Sequence, residues 1–263
     1  MSELVQTEQR GAIFEIILNR PEKRNAISLE LYDALSRAVE AAGQAEGVRT
    51  VFLRGRGKLF SSGIDLTAFL LMSQRYGPNW QQKMRRITAD FQAVLNRLER
   101  LEVPTIALLH GHCLGLALEV ALACDMRIAA QDTVLALPET RLGLIPDVGG
   151  TTRLTRLVGP ARAKELIFTG RHFDAADAER WGIVNHVVPA ERLMAKAEEV
   201  AAEIEAAAPL AVGLAKRVID GAFDLERGLA LEGWAQSQLV TSQDFSEAVQ
   251  AFVSQRRPEF KGR

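Results

Sequence analysis

Apolar residues along this chain follow two rhythms, and the change between them locates most elements. Ala12 to Leu18 is dense in Ile and Phe and predicts a strand that Arg20-Pro21 ends. Ser28 then reads as the N-cap of a helix running to about Ala45, with Leu31, Leu35, Ala38 and Ala42 on one stripe. Thr50 to Leu53 predicts a second strand, followed by a glycine-punctuated loop from Gly55 to Asp65. Leu66 to about Tyr76 and Trp80 to Leu101 predict helices separated by Gly77-Pro78-Asn79, and Thr105 to Leu109 predicts a third strand. Strand, helix, strand, helix, strand indicates an α/β architecture. Leu116 to Cys124 is a nearly all-apolar helix and so a buried one. Short strands are expected at Met126 to Ala129, Thr133 to Ala136 and Ile183 to Val188, with a helix after Gly149-Gly150. Beyond Pro189 the rhythm becomes wholly helical and rich in Ala, Glu and Lys. This divides the chain into a core over 1–189 and a helical region over 190–263 whose amphipathic faces call for apolar surface from another subunit.

Composition narrows the function. The net charge is −1 at pH 7, which favours neither nucleic acid nor an anionic membrane. The apolar region from Thr105 to Ala130 is interrupted by His110, Gly111, His112 and Glu119, so it reads as strand, loop and helix rather than a membrane span. Met1 to Arg10 is polar and carries no apolar signal core, and the two cysteines, Cys113 and Cys124, fit reduced interior thiols. A cytoplasmic location is the expectation. The four histidines show no zinc-like spacing, no metal site is expected, and Ser61 and Ser62 lack a nucleophile-elbow context.

Two loops carry candidate chemistry. Each follows a predicted strand and leads into a helix: Phe60-Ser61-Ser62-Gly63-Ile64-Asp65-Leu66, and His110 through Leu116. Glycine before a helix lets free backbone N–H groups approach a ligand, where they stabilise an oxyanion. Glu119 lies one turn into the apolar helix, on the face of Leu116, and an ionised carboxylate there is costly to bury alone. A structural ion pair with an arginine is the other reading of Glu119. Glu139 ends an apolar strand and is either functional or a solvated turn residue. Asp147, just before Gly149-Gly150-Thr151, suits a helix N-cap, and Asp65 could cap the helix that follows it.

At these residues the chain resembles the crotonase, or enoyl-CoA hydratase/isomerase, family. Phe60 through Leu66 resembles its first oxyanion segment. Arg20 through Ala26, Gly115 through Asp125, Pro138-Glu139, Gly143 through Gly159 and Phe252 through Lys261 extend the likeness over essentially the whole chain. The resemblance implies a spiral of ββα units followed by a C-terminal helical trimerisation region, with homotrimers often paired as hexamers. It implies an acyl-CoA thioester as substrate, hydration of a 2-enoyl-CoA as the reaction, and no cofactor beyond the CoA that the substrate carries. The amides of Ile64 and Leu116 would form the oxyanion hole. Glu119 would activate water and Glu139 would protonate Cα, while Arg24, Ala26, Ser62, Gly63, Asp65, Leu66 and Gly115 would line the substrate and CoA groove. Two positions depart from the family pattern. Gly115-Leu116-Ala117 stands where consecutive glycines are usual, and Asp147 stands where hydratases usually carry glycine. Dienoyl-CoA isomerases carry an acid at the latter position, so the resemblance admits an enoyl-CoA or dienoyl-CoA isomerase as the alternative, and a non-catalytic acyl-CoA-binding protein as a third reading.

Overall fold

Alternating side chains along the strands fill two separate cores. In the computed structural model, which describes residues 3–221 and 225–263, the elements begin with β1 (Val5–Arg10), β2 (Ile13–Leu18), α1 (Leu29–Gln44) and β3 (Thr50–Gly55). Then come α2 (Ala68–Tyr76), α3 (Met84–Glu99), β4 (Thr105–Leu109), β5 (His112–Leu114), α4 (Leu116–Leu122), β6 (Met126–Ala130) and β7 (Val134–Ala136). The chain continues through α5 (Gly150–Thr169), β8 (Phe173–Asp174), α6 (Ala175–Arg180), β9 (His186–Val188), α7 (Leu193–Glu205), α8 (Pro209–Gly221), α9 (Leu225–Leu239) and α10 (Gln243–Val253). Six strands form one sheet in the order β1-β2-β3-β4-β6-β9, antiparallel only between β1 and β2. Val51, Leu53, Ala107 and Leu109 point to the core shared with α1, α3 and α4, whereas Phe52, Ile106, Leu108 and Ile128 point the other way, onto Ala197, Val200 and Ala201 of α7. Both faces are covered, which suits a mostly parallel sheet.

A second layer gives the spiral. β5, β7 and β8 form a small sheet, and isolated parallel bridges Ser61–Cys113 and Ile27–Ile64 extend it through the preceding turns. Successive turns therefore repeat a strand in the large sheet, a pairing in the small one and then a helix, as in β4-β5-α4. The expected crotonase-like ββα spiral with helices at its C-terminal end is the fold.

Three strands are absent from the hydrophobic rhythm. β1 lies in the polar stretch Met1 to Arg10, for which the sequence predicts no element, yet it pairs along its whole length with β2; of its residues only Val5 is buried, so backbone bonds rather than side chains hold it. β5 and β8 span three and two residues, too short to show any period. Ser28 caps α1 as expected, accepting from the Leu31 amide at 3.3 Å. Among the described residues, no helix is long and apolar enough to cross a membrane, and no three or more His, Cys, Asp or Glu residues group as metal ligands.

Candidate active site

The two glycine loops meet because the small sheet pairs them. Ser61 bridges Cys113, and three residues further along each segment stand Ile64 and Leu116. Gly63 makes the approach possible. Its φ is +90°, and a Cβ there would lie 2.4 Å from the Leu114 carbonyl oxygen and 3.6 Å from the Leu116 nitrogen. Among the described residues, the amides of Ile64 and Leu116 find no backbone acceptor, and both residues line a cavity of about 310 Å³. Leu116 is the first residue of α4, so its N–H is one of the orphan donors of a helix start. Its side chain is buried against the core, which is how a leucine fits where the family usually has glycine.

All seven residues of α4 are buried, Glu119 included. The helix is anchored at its far end by Arg127, whose guanidinium donates to the carbonyl oxygens of Cys124 at 2.7 Å and Ala121 at 3.2 Å. Glu119 has no arginine partner among the described residues; instead its Oε1 accepts from the amides of Val148 and Gly150, each at 2.8 Å. Burial pushes its carboxyl up to about 8, with the charges of Glu139 and Asp147 adding to the rise and the two amides opposing it. Glu139 opens a short 3₁₀ turn after β7, and burial together with the Asp147 charge pushes its carboxyl up to about 7. Its Oε2 is buried with no hydrogen-bond partner, a position open to a ligand.

Asp147 is not the helix cap that its place in the sequence suggests. Gly149 occupies the N-cap of α5, and no side chain caps that helix. The Asp147 carboxylate turns instead to α3, accepting from Thr88 Oγ1 at 2.7 Å, and it lines the same cavity as the two glutamates. Asp65 does not cap α2 either. It pairs with Arg20 at 2.7 Å and accepts from the amide and hydroxyl of Thr67, which fixes the turn ahead of that helix.

Of the residues singled out in the sequence, Ile64, Leu116, Glu119, Glu139 and Asp147 line the cavity. Arg24, Ala26, Ser62, Gly63, Asp65, Leu66 and Gly115 lie outside its lining. Arg24 and Leu66 are exposed, and the Ser62 amide donates to the Arg24 carbonyl at 3.0 Å, so these residues surround the loop rather than the cavity floor. Sequence reasoning missed the opposite wall, built by Phe69, Met72, Trp80, Met84, Ile87 and Phe91 from α2, α3 and the turn between them. Phe91 is fixed by stacking on Tyr32 with ring centroids 4.4 Å apart, and the Tyr32 hydroxyl donates to the Phe91 carbonyl at 2.6 Å. On helix periodicity such residues look like ordinary core, and only the glycine-proline break at 77–78 hints that they frame a space. An apolar chamber with two unengaged amides and three carboxylates around one region can polarise a carbonyl and move protons beside it.

A family profile described as enoyl-CoA hydratase/isomerase matches residues 8–263. The chain belongs to this family. Among its curated relatives, the enoyl-CoA isomerase/hydratase fer4 of Mycosarcoma maydis is 38% identical over 262 residues, covering 95% of this chain and 93% of that protein. The mitochondrial enoyl-CoA hydratase domain-containing protein 2 of Mus musculus is 39% identical over 264 residues, covering 98% and 87%. The crystal structure of an enoyl-CoA hydratase from Bacillus anthracis superposes with a TM-score of 0.90 at 37% identity, covering 99% of this chain and all of that one. Enzymes of the crotonase family act on acyl-CoA substrates, and the relatives' names read either hydratase alone or hydratase and isomerase together.

Proposed function

We propose that the protein is an enoyl-CoA hydratase. The observation that supports it most is the pair of carboxylates, Glu119 and Glu139, that line one cavity beside the two unengaged amides. In this scheme the thioester carbonyl oxygen lies between the amides of Ile64 and Leu116, and the acyl chain fills the apolar chamber. Exposed Arg24, with Ala26 and the Ser62–Leu66 segment, meets the CoA moiety. Glu119 takes a proton from water as the water oxygen bonds to C3. The C2–C3 π electrons move into an enolate held by the two amides, and Glu139 delivers its proton to C2. The amides of Val148 and Gly150 orient Glu119 through one oxygen and leave the other for water. Each turnover leaves the proton on the other glutamate, and two groups with overlapping ionisation return it through solvent. One oxyanion donor of this kind commonly contributes about 10²–10³ in rate. The scheme uses no cofactor beyond the CoA of the substrate. Two free, buried thiols are compatible with a cytoplasmic setting.

A second reading, dienoyl-CoA or enoyl-CoA isomerisation, is favoured by Asp147, a third carboxylate in the cavity that no helix cap explains. The deciding experiment is an absorbance assay of the purified protein with crotonyl-CoA, a 3-enoyl-CoA and a 3,5-dienoyl-CoA side by side, together with Glu139→Gln. Hydration of crotonyl-CoA that drops by about 10²-fold or more in the variant, with little change in CoA-ester binding, is expected. Turnover of the other two esters without crotonyl-CoA hydration would refute the proposal.

A further inference from the structure

We infer that helix α3 is the positioning element for Glu119: a polar stripe on it, Thr88, Gln92, Asn96 and Glu99, grips the segment 147–153 whose amides hold that carboxylate. The stripe keeps steps of four, four and three residues, so it lies along one face of the helix. Each member has a partner on the segment. Thr88 Oγ1 donates to the Asp147 carboxylate at 2.7 Å, and Gln92 Nε2 donates to the Asp147 carbonyl at 2.6 Å. Arg153 Nη2 donates to Asn96 Oδ1 and to Glu99 Oε2, both at 2.8 Å. Arg153 is buried and turns back on the segment, donating through Nη1 to the Val148 carbonyl at 3.2 Å. Its guanidinium occupies the space that a side chain at Gly149 would need, since a Cβ there would lie 1.8 Å from Nη1. The residues flanking that contact, Val148 and Gly150, are the two whose amides hold Glu119 Oε1.

The neighbouring face of α3 supplies Met84, Ile87 and Phe91 to the cavity wall. One helix thus touches the acyl chamber and, through four side chains, the turn that orients the proposed base. A buried guanidinium needs such a set of acceptors, so loosening α3 releases Arg153 and the turn together. With the turn released, the ionised form of Glu119 loses donors while its surroundings stay as dry, and its proton affinity rises. The charged and titratable groups around Glu119 are Glu139 after β7, Asp147 before α5 and Tyr32 on α1, with Arg153 behind the turn. Replacing Gln92 alters none of these charges.

This inference deepens the hydratase proposal, and its test has one arm that does not depend on turnover. The first arm follows the ¹³Cδ titration of Glu119 in protein labelled at glutamate, assigned with Glu119→Gln. Gln92→Leu should raise the midpoint by about one pH unit, the size of one lost charge-assisted hydrogen bond. Ser36→Ala serves as control, because it removes a bond of α3 to α1 (Arg97 Nη2 to Ser36 Oγ, 2.6 Å) on a different face; its midpoint should match wild type. The second arm is the pH–rate profile with crotonyl-CoA, in which Gln92→Leu should shift the acid limb upward and lower kcat by about 10-fold with KM nearly unchanged. Should Gln92→Leu not fold, Asn96→Ala, which removes one acceptor from Arg153, carries the same expectation. A midpoint in these variants equal to that of wild type and Ser36→Ala would overturn the inference. A wild-type protein that does not hydrate would sink the hydratase reading alone, and the titration arm would still decide this one.

Discussion

Glu119→Gln should make the protein more stable at neutral pH while removing its activity. The carboxyl is 2% exposed, and burial lifts it from an ordinary 4.5 to about 8. The sign follows from linkage. A carboxyl whose folded value is raised holds its proton longer in the folded state, so folding loses stability as pH climbs from the unfolded value to the folded one. Each pH step in that range costs about 1.4 kcal/mol, so at pH 7 the penalty is about 3 kcal/mol, and at pH 5 it is below about 1 kcal/mol. Glutamine does not ionise, and its side-chain oxygen can still accept from Val148 and Gly150. It therefore removes the penalty and keeps the turn. For a chain of this size the gain corresponds to a rise in melting temperature of about 6–10 °C at pH 7. The assay is thermal or urea unfolding of wild type and variant across pH 5 to 8, beside crotonyl-CoA hydration, which should fall by about 10² or more. A stability gain that is the same at pH 5 and pH 7, or absent at both, would refute the argument, because only a titrating penalty grows through this window.

Two further outcomes can be checked. Asp147→Asn removes a like charge that raises both glutamates, so hydration should persist with its pH–rate profile moved to lower pH, while any 3,5-dienoyl-CoA isomerisation should be lost; an unchanged profile would show that Asp147 does not act on the pair. The helical region exposes Ile219, Leu229, Trp234, Phe245, Val249 and Val253, which supports the proposal that it packs between subunits as a trimer or a pair of trimers; light scattering should give an oligomer that Phe245→Glu combined with Val249→Glu weakens, and a wild-type monomer at micromolar concentration would count against it.

What the sequence made legible follows from the range of the forces involved. β2, β3 and β4 are mostly buried apolar residues, and α1 carries its own cap, so local pattern suffices for them. Glu119 was legible as an exception because a carboxylate on a wholly apolar helix is costly to bury, but whether an arginine or backbone amides hold it depends on distant partners, Val148 and Gly150, that no local pattern reports. For Asp147 the sequence offers two readings, a helix cap by a local rule and a catalytic acid by resemblance; its actual partner, Thr88, lies 59 residues away, and no local pattern reports it. Arg153 and the stripe on α3 escaped for the same reason, since a polar residue every fourth position resembles any solvated helix face. The wall from Phe69 to Phe91 escaped because residues facing a cavity and residues facing a packed core obey one periodicity.

The pairing of Ser61 with Cys113 also sets a length. Neighbouring strands lie about 4.8 Å apart, a spacing fixed by backbone hydrogen bonds. Two N–H donors that each reach one oxygen at about 2.9 Å must themselves stand about 4.8 Å apart if they meet it at an angle near 110°. Ile64 and Leu116, the latter at the start of α4, each lie three residues beyond the bridge, so it is the paired backbone and not their side chains that brings the two amides to one end of the small sheet. The two donors are thus brought together by main-chain pairing. A leucine packed into the core can therefore stand where glycine is usual, because the backbone carries the donor, and side chains here can change the shape of the chamber without removing either N–H.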